Sequence, residues 1–318
     1  MSVRTRFAPS PTGLLHLGHA RAAFEAFGFA DQHGGTCLLR IEDIDHTRCL
    51  PSYTQAIYRD LDWLGLDWPL PVRVQNKHYK DYIDVIIRLI EMGLAYPSTL
   101  SRAELKAGKR AGPEAPLSFS DLVREKWSEY SLTSFKLPLS EYPKTKNLIL
   151  SCLESQKIAE KPNLPFAIRL DLGKALSKVS EQSLTHQYMN QADALKTGEI
   201  LETDARTSLV KWVKSDRPDP IIARRDIAVS YDIAVTHDDA LQHITHIVRG
   251  QDLEDQTPLH ILIQFLMGWP RPIYYHHDLV LRADGEKLAK RNLDTSLEHL
   301  RSHGQSLKEI KHLSAYTL

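Results

Sequence analysis

The chain has 318 residues, of which 42% are hydrophobic and 25% are charged, with 40 basic and 40 acidic side chains. These values are typical of a globular protein with one large or two modest domains, and no stretch approaches the ~18 continuous apolar residues of a membrane helix. The balanced charge argues against a protein that coats nucleic acid in bulk, because a basic domain is expected there. A local basic face is still able to bind one structured RNA.

The first predicted unit is a short strand that ends near Phe7, followed by a tight loop and a helix. Pro9 and Pro11 prevent regular strand pairing, and Gly13 permits a sharp turn. Residues 20–27 are rich in good helix formers. The pattern therefore predicts a loop that joins the end of a strand to the N-terminus of a helix.

The N-terminus of that helix is a candidate phosphate site. Free backbone N–H groups and the positive end of the helix dipole favour phosphate at such a position. His16 and His19 can donate hydrogen bonds to the same phosphates, and Gly18 lets a flat ligand lie close to the backbone. A histidine alone is more often structural, so this interpretation depends on the motifs that follow.

A second predicted strand, Thr36–Ile41, completes a strand–helix–strand unit with a right-handed crossover. The acidic residues Glu42 and Asp45 come soon after it. Because ligands bind at the carboxyl ends of strands in an open α/β sheet, Glu42 is expected near the first loop, where a carboxylate suits an ammonium group. A solvated acidic turn that caps the next helix is the alternative.

Two amphipathic helices, at residues 51–68 and 78–92, complete the first part of the chain. From residue 96 to 218 charged residues and prolines become more frequent, which indicates an α+β insertion between two halves of the sheet. The predicted elements of this insertion are short helices at 102–109 and 117–127 and a strand at 166–170.

Residues 219–276 return to a pattern of strands and helices. The predicted elements are a strand at 220–223, a helix from Tyr231, a strand and loop at 245–252, a helix from the N-cap Thr257 and first residue Pro258 to Met267, and a strand at Ile273–His277. Beyond them, Lys287 and Lys290 lie on a predicted loop, where their charges can close over a polyphosphate. An ordinary solvated basic loop is the alternative.

These elements predict an α/β fold with a Rossmann-type parallel sheet that is split by an α+β insertion and followed by a short helical extension. The predicted divisions are residues 1–95 and 219–276 for the two halves of the sheet domain, 96–218 for the insertion, and 277–318 for the basic loop and short terminal helices.

Six short sequence blocks follow one another along the chain. They are Arg6-Phe-Ala-Pro-Ser-Pro-Thr-Gly13, His16-Leu-Gly-His19, Arg40-Ile-Glu-Asp-Ile-Asp45, Tyr231, Ile247-Val-Arg-Gly250 and Lys287-Leu-Ala-Lys-Arg291. Their content and order resemble the catalytic domain of the glutamyl branch of the class I aminoacyl-tRNA synthetases. The resemblance covers residues 2–96 and 219–292 well and the insertion poorly.

The resemblance implies a role for each matching residue. The expected glutamate ligands are Arg6, Ala8, Ser10, Glu42, Tyr231 and Arg249, and the expected ATP ligands and catalytic groups are His16, Gly18, His19, Lys287 and Lys290. Arg6 and Arg249 would both bind the side-chain carboxylate, and the sequence does not decide how they divide this role. Glu42 would bind the α-ammonium group. Without the family match, Arg6 would simply pair with Glu42, and Tyr231 would be a core residue.

Two features indicate the acceptor of the activated glutamate. Only residues 292–318 follow the last block, whereas glutamyl-tRNA synthetases continue into a long anticodon-binding region. The chain therefore resembles the glutamyl-queuosine tRNA(Asp) synthetases, which transfer glutamate to the queuosine base in the anticodon of tRNA(Asp). Val235 is the second feature that favours the queuosine branch, because the glutamyl-tRNA synthetases usually carry Asn at this position. The valine is expected to make the pocket less polar and glutamate binding weaker.

ATP is the expected second substrate, with Mg²⁺ held by its phosphates and by waters. No zinc is expected, because the three cysteines form no Cys-x-x-Cys pair, and because Ser98 and Leu100 stand where the queuosine branch often carries cysteines. The N-terminus lacks an apolar signal core, so a cytoplasmic enzyme without a membrane partner is expected. A monomer is expected as well.

Two alternative functions stay open. A shortened glutamyl-tRNA synthetase would charge the 3′ end of tRNA(Glu), which the short C-terminus and Val235 argue against. A catalytically inactive relative would serve as an RNA- or protein-binding module, which the intact signature blocks argue against.

Overall fold

The structure, a computed structural model, describes residues 2–98, 143–162, 164, 166–180, 184–189, 199–215, 217–280, 296–314 and 316. Its strands are β1 (Arg4–Phe7), β2 (Thr36–Ile41), β3 (Arg73–Val74), β4 (Ala95–Ser98), β5 (Ala167–Leu170), β6 (Thr185–Met189), β7 (Ile200–Asp204), β8 (Ile221–Ala223), β9 (His246–Gly250) and β10 (Ile273–His277). Its helices are α1 (Leu17–Gln32), α2 (Pro51–Trp63), α3 (Tyr79–Glu91), α4 (Pro143–Gln156), α5 (Leu172–Ser177), α6 (Ala205–Lys214), α7 (Tyr231–Leu241), α8 (Thr257–Met267), α9 (Leu297–Ser302) and α10 (Leu307–Leu313). The predicted helices at 102–109 and 117–127 lie outside the described residues.

The first part of the chain forms a parallel sheet in the order β1-β2-β3. Arg4 lies opposite Thr36 and Phe7 lies opposite Leu39, so β1 and β2 run side by side along their whole shared length. Helix α1 connects them. The strand–helix–strand unit predicted from the sequence is confirmed.

A second sheet, in the order β7-β6-β10-β9, is parallel except for β7. It continues the first sheet, because the Thr245 N–H donates to the Arg4 carbonyl oxygen at 2.9 Å and the Arg4 N–H donates to Thr245 Oγ1 at 2.8 Å. Further along, the Arg6 side chain reaches the Val248 carbonyl, so β1 and β9 run in the same direction. The predicted parallel α/β architecture is confirmed.

A third, antiparallel sheet has the order β4-β5-β8. It joins residues 95–98 to the strand predicted at 166–170 and to the strand predicted at 220–223. The sheet therefore spans both predicted boundaries of the insertion, at 95/96 and at 218/219. The four-part division of the chain stays a prediction.

Two helix boundaries differ from the sequence-based expectation. Helix α2 ends at Trp63 instead of residue 68, because Gly65 adopts a φ of 68° and turns the chain out of the helix. The N-cap of α8 is Gln256, so Thr257 is already helical. At its other end, Gly268 takes the left-handed conformation that terminates many helices.

The buried apolar residues form two clusters. One packs α3, α7 and α8 around the antiparallel sheet and the inner strand β10, and the other packs α1 and α2 against β1 and β2. Helices α9 and α10 add Leu297 and Ile310 to the second cluster. Among the helices that the structure describes, none has the length and apolar character needed to cross a membrane.

Candidate active site

A cavity of about 460 Å³ opens where the carboxyl ends of β1, β2, β9 and β10 meet. The predicted site residues that line it are Arg6, Ala8, Ser10, His16, Gly18, His19, Glu42, Tyr231 and Arg249. The fold therefore brings all the predicted glutamate ligands, and the described part of the predicted ATP site, to one place. This is the position at which open α/β sheets bind ligands.

The loop after β1 is fixed to the end of β2. The Glu42 N–H donates to the Pro9 carbonyl oxygen at 3.1 Å, and the Leu50 N–H donates to the Pro11 carbonyl oxygen at 3.0 Å. Proline has no N–H of its own, so its carbonyl is the backbone group left to anchor such a loop. These bonds hold the residues after Arg6 against the acidic end of β2.

His16 is the N-cap of α1 and forms a reciprocal cap with His19. The His16 Nδ1 accepts from the Gly18 N–H, and the His19 Nδ1 accepts from the His16 N–H, each at 3.1 Å. Because Nδ1 is an acceptor in both rings, each neutral imidazole carries its proton on Nε2 and donates from there. The ring centroids lie 3.9 Å apart, which places two imidazole donors side by side at the N-terminus of a helix.

Gly18 is needed by the ring of His16. A Cβ atom at this position would lie 3.0 Å from His16 Cε1 and 3.1 Å from His16 Nδ1, closer than most real contacts. The glycine therefore lets the histidine fold back over the first turn of α1. The predicted reason for this glycine, close approach of a ligand to the backbone, stays a prediction.

Lys287 and Lys290 lie outside the described residues, but both flanks of their segment are at the cavity. Leu279 and Val280 line it on one side. On the other side, Ser296 forms an isolated antiparallel β-bridge with His16, and the Leu297 N–H donates to the Leu15 carbonyl oxygen at 2.8 Å. The role of the two lysines stays a prediction.

Arg6 is held by Asp239 and not by Glu42. Its Nε donates to Asp239 Oδ1 at 3.1 Å, and its Nη1 donates to the Val248 carbonyl oxygen at 3.3 Å. These bonds use two of the five guanidinium N–H groups, so three have no partner in the described part of the chain, and Arg6 lines the cavity. The simple Arg6–Glu42 pair considered from the sequence is absent from the described ion pairs of both residues.

Glu42 is paired with the fully buried Arg40. Its Oε1 accepts from Arg40 Nη2 at 2.9 Å and from Arg40 Nε at 3.2 Å. The remaining Nη1 of Arg40 donates to Asp239 Oδ1 at 2.8 Å and to Gln242 Oε1 at 3.1 Å. Arg40 thus connects Glu42, which lines the cavity, to Asp239, which holds Arg6.

Arg249 is surrounded by neutral acceptors. Its Nη2 donates to Thr257 Oγ1 at 2.7 Å and to the Leu253 carbonyl oxygen at 3.0 Å. Its Nε donates to His276 Nε2 at 3.2 Å, and its Nη1 donates to His260 Nδ1 at 3.3 Å. Four of the five N–H groups are therefore used, and no carboxylate in the described residues pairs directly with this guanidinium.

Burial and charge shift the pKa values of the groups around the cavity. Burial acts to raise the pKa of Asp239, but the charges of Arg6 and Arg40 outweigh it and hold this pKa below its ordinary value. Burial raises the pKa of Glu42, although Arg40 and Arg6 oppose this effect. Burial, together with the charge of Arg249, lowers the pKa of His276 to about 3, so that His276 is neutral at pH 7.

His260 connects Arg249 to a more distant carboxylate. Its Nε2 lies 3.0 Å from Asp232 Oδ1, and because its Nδ1 accepts from Arg249, the ring proton belongs on Nε2. Burial lowers the pKa of His260 as well, which keeps the ring neutral. The charge of Arg249 is therefore separated from Asp232 by an uncharged imidazole.

Sequence reasoning missed Arg40 and Asp239 as members of the site. One signal was available for each: an arginine within the otherwise apolar strand β2, and an acidic residue on the inner face of α7. Val235 is 1% exposed and is not among the described residues that line the cavity, so it does not make the pocket less polar by direct contact.

The described residues contain no group of three or more His, Cys, Asp and Glu side chains placed to hold a metal ion. Ser98, at a position where the queuosine branch often has cysteine, is buried, and its Oγ accepts from Arg169 Nε at 3.2 Å. Leu100 lies outside the described residues. The absence of zinc stays a prediction.

Comparison with known proteins gives one family. The model of "tRNA synthetases class I (E and Q), catalytic domain" matches residues 2–132 and 185–310. A Glutamyl-Q tRNA(Asp) synthetase of Rhodobacter capsulatus is 35% identical over 313 residues, which make up 97% of this chain and 98% of that protein. A glutamate–tRNA ligase of Aquifex aeolicus is 33% identical over 95% of this chain but only 54% of that protein. The chain thus spans about half the length of the glutamate–tRNA ligases that it matches.

Solved structures give the same fold. A glutamate tRNA ligase from Elizabethkingia meningosepticum, solved in complex with its amino acid, matches with a TM-score of 0.59 and 26% identity over 92% of this chain and 53% of that one. Methionyl-tRNA synthetase from Mycobacterium tuberculosis matches with a TM-score of 0.53 at 10% identity, which shows a shared fold alone.

Proposed function

The chain belongs to the class I tRNA synthetases of the E and Q type, and we propose that it activates glutamate with ATP and transfers it to queuosine in the anticodon of tRNA(Asp). The charge balance of the cavity supports glutamate as the amino acid. The relative matched along nearly its whole length, a Glutamyl-Q tRNA(Asp) synthetase, supports queuosine as the acceptor.

The buried charges at the cavity favour a substrate with one net negative charge, while the carboxylates of Asp252 and Asp278, which also line it, are exposed and screened by water. Two of the three buried guanidinium groups, those of Arg6 and Arg40, are joined by hydrogen bonds to the buried carboxylates of Asp239 and Glu42, whereas in the described part of the chain Arg249 donates to neutral acceptors. A buried cation without a carboxylate partner is costly, so an anion that enters the cavity relieves this cost. Glutamate carries one net negative charge and restores the balance, whereas zwitterionic glutamine carries none.

The free N–H groups suggest how the two arginines divide the carboxylate. Arg6 keeps three donors, enough for a bidentate pair with the side-chain carboxylate. Arg249 keeps a single donor and supplies mainly its uncompensated charge. Glu42 accepts from the α-ammonium group on the other side of the cavity, beside the hydroxyl of Tyr231. Ala8 and Ser10 complete the contacts from the loop after β1.

Activation joins the glutamate α-carboxylate to the α-phosphate of ATP. A carboxylate oxygen attacks the phosphorus, the bond to the pyrophosphate oxygen breaks, and glutamyl-adenylate and pyrophosphate form. His16 and His19 donate to the phosphates from Nε2, with Gly18 between them, and Lys287 and Lys290 neutralise the charge that develops on the leaving group. Mg²⁺ bound to the phosphates and to waters would add further positive charge.

Transfer needs only a hydroxyl nucleophile from the RNA. A cyclopentene hydroxyl of queuosine attacks the carbonyl carbon of the adenylate, loses its proton, and forms an ester as AMP departs. The protein supplies no covalent nucleophile in either step. Its contribution is to position the reacting atoms and to stabilise charge in a partly closed cavity.

A second candidate acceptor is the 3′ end of tRNA(Glu), because several glutamate–tRNA ligases are 31–33% identical to this chain. Two assays test both steps. ATP–pyrophosphate exchange with glutamate, and not with glutamine, is expected without any tRNA. Radiolabelled glutamate is expected on tRNA(Asp) that contains queuosine and not on queuosine-free tRNA(Asp). Label on queuosine-free tRNA(Glu) would overturn the proposed acceptor, and no exchange at high glutamate would overturn the proposed activation.

A further inference from the structure

We propose that Asp239 and Arg40 form a charged spacer that keeps Arg6 and Glu42 from pairing with each other before glutamate binds. This inference rests on the proposed function, because Arg6 and Glu42 are the groups assigned to the two ends of glutamate. Asp239 and Arg40 are positioning residues in this account, since they act through Arg6 and Glu42 and do not line the cavity themselves.

The spacer is a continuous chain of charges of alternating sign. Asp239 Oδ1 accepts from Arg6 Nε at 3.1 Å and from Arg40 Nη1 at 2.8 Å. Arg40 then donates to Glu42 Oε1 at 2.9 Å through its Nη2. All four side chains are at least nine-tenths buried, so water screens their interactions only weakly.

Without the spacer, Arg6 and Glu42 would attract each other directly. Both line the same cavity, and Arg6 contributes a favourable charge interaction to the Glu42 carboxylate. A direct pair would use the Arg6 donors and the Glu42 acceptors that glutamate needs. Because Asp239 competes for Arg6 and Arg40 competes for Glu42, both groups stay on the cavity wall with their remaining sites open.

The positions of the spacer follow from regular secondary structure. Arg40 and Glu42 are two residues apart at the end of β2, and such residues share one face of an extended chain. Asp239 lies on α7, the helix that begins with the predicted glutamate ligand Tyr231. Helix α7 therefore fixes one cavity residue directly and a second, Arg6, through Asp239.

Asp238 provides a matched control on the same helix. It is also a fully buried carboxylate, and it accepts from Arg73 Nε at 2.7 Å, Tyr82 OH at 2.8 Å and Gln75 Nε2 at 2.9 Å. Neither Asp238 nor any of these partners lines the cavity. Its charge acts on Arg40 through space, but none of its described hydrogen bonds involves Arg6, Arg40 or Glu42. Loss of its charge should therefore lower stability and change glutamate binding much less than loss of the Asp239 charge.

The first experiment compares Asp239→Asn with Asp238→Asn in ATP–pyrophosphate exchange. Asp239→Asn is expected to raise the KM for glutamate about 10- to 100-fold, with little change in the KM for ATP. Asp238→Asn, which removes a charge that acts on Arg40 only through space, is expected to lower the melting temperature and to raise the KM for glutamate much less than Asp239→Asn does. If Asp239→Asn does not fold, Asp239→Glu, which keeps the charge but moves it, is expected to raise the KM for glutamate as well.

The second experiment asks whether Glu42 captures Arg6 when the spacer is removed. Glutarate has both carboxylates of glutamate but no ammonium group, so it competes with glutamate without needing Glu42. Asp239→Asn is expected to weaken inhibition by glutarate, and adding Glu42→Gln to this variant is expected to restore it. A merely structural defect at Asp239 would not be repaired by a second change in the buried cluster.

The results separate this inference from the proposed function. Absence of glutamate-dependent exchange in the wild-type protein would overturn the proposed function. An active wild type whose Asp239→Asn and Asp239→Glu variants keep the normal KM for glutamate would overturn the spacer. The spacer would also be overturned if the folded double variant were inhibited by glutarate no more strongly than Asp239→Asn alone.

Discussion

At the scale of single residues, the two arginines of the cavity differ in what they have left to offer. Within the residues that the structure describes, Arg6 is paired with Asp239 and has three N–H groups left, whereas Arg249 has one N–H group left and no carboxylate partner. We therefore expect Arg6 to orient the side-chain carboxylate of glutamate through hydrogen bonds, and Arg249 to attract it through its charge. This division could not be inferred from the sequence, which identifies both residues but not their partners.

We expect Arg6→Ala to abolish the preference for glutamate over glutamine. Loss of a bidentate, charge-assisted pair should lower kcat/KM for glutamate at least about 100-fold in ATP–pyrophosphate exchange. Arg4→Ala on the same strand is the control, because Arg4 donates to the Gln242 carbonyl oxygen and does not line the cavity. Normal selectivity against glutamine in a folded Arg6→Ala variant would rule out the assigned role.

We expect His276→Gln to make stability less sensitive to acid. The folded protein holds the pKa of His276 at about 3, below the ordinary value of 6.5, so folding favours the neutral imidazole. The stability gained from this neutral ring is present above pH 6.5 and is lost as the pH falls below it. Between pH 7.5 and 5.0 the variant should lose about 2 kcal/mol less unfolding free energy than the wild type. Urea unfolding at the two pH values measures this, and an identical loss in both proteins would contradict it.

At the scale of elements, local patterns predicted β1, α1 and β2 well, because each has its own apolar run and its own breakers. The sequence did not show that β4, β5 and β8 form one antiparallel sheet, since their pairing joins segments far apart in the chain. The contact of Arg40 with Asp239 has the same origin, because the two residues are 199 positions apart in the chain. Sequence patterns within a segment predict which helix or strand it forms. Which segments pair with each other can be seen only in the folded structure.

The end of β9 is Gly250, whose backbone lies close to two side chains that line the cavity. A Cβ atom on Gly250 would lie 2.6 Å from Asp252 Oδ1 and 2.9 Å from Leu279 Cδ2, so the ends of these two cavity-lining side chains would have to shift. We expect Gly250→Ala to raise the KM for ATP several-fold in ATP–pyrophosphate exchange, at a stability cost of about 1–3 kcal/mol.

Gly173→Ala is the control for this variant. A Cβ atom there meets Asp171 Oδ1 at an ordinary 3.6 Å, and Gly173 lies on α5 outside the cavity. Its KM values should equal those of the wild type. Equal KM values for ATP in the two glycine variants would show that the end of β9 does not shape the nucleotide site.

At the scale of the whole molecule, the cavity is built from two distant parts of the chain. Residues 6–42 supply one wall, residues 231–280 supply the other, and the junction of β1 with β9 joins them. The sequence blocks predicted this assembly because each block lies at the end of a strand or the start of a helix. The acceptor RNA has no comparable signature in the cavity, so the proposed choice of queuosine rests on similarity along the whole chain.

The position of the transferred glutamate tests that choice most directly. Queuosine-containing tRNA(Asp) and, in a separate reaction, tRNA(Glu) are incubated with the protein, ATP and radiolabelled glutamate, and each is then digested to nucleosides that are separated. We expect the label to elute with queuosine and to be absent from the terminal adenosine. Label on the terminal adenosine of tRNA(Glu), with none on queuosine, would contradict the account.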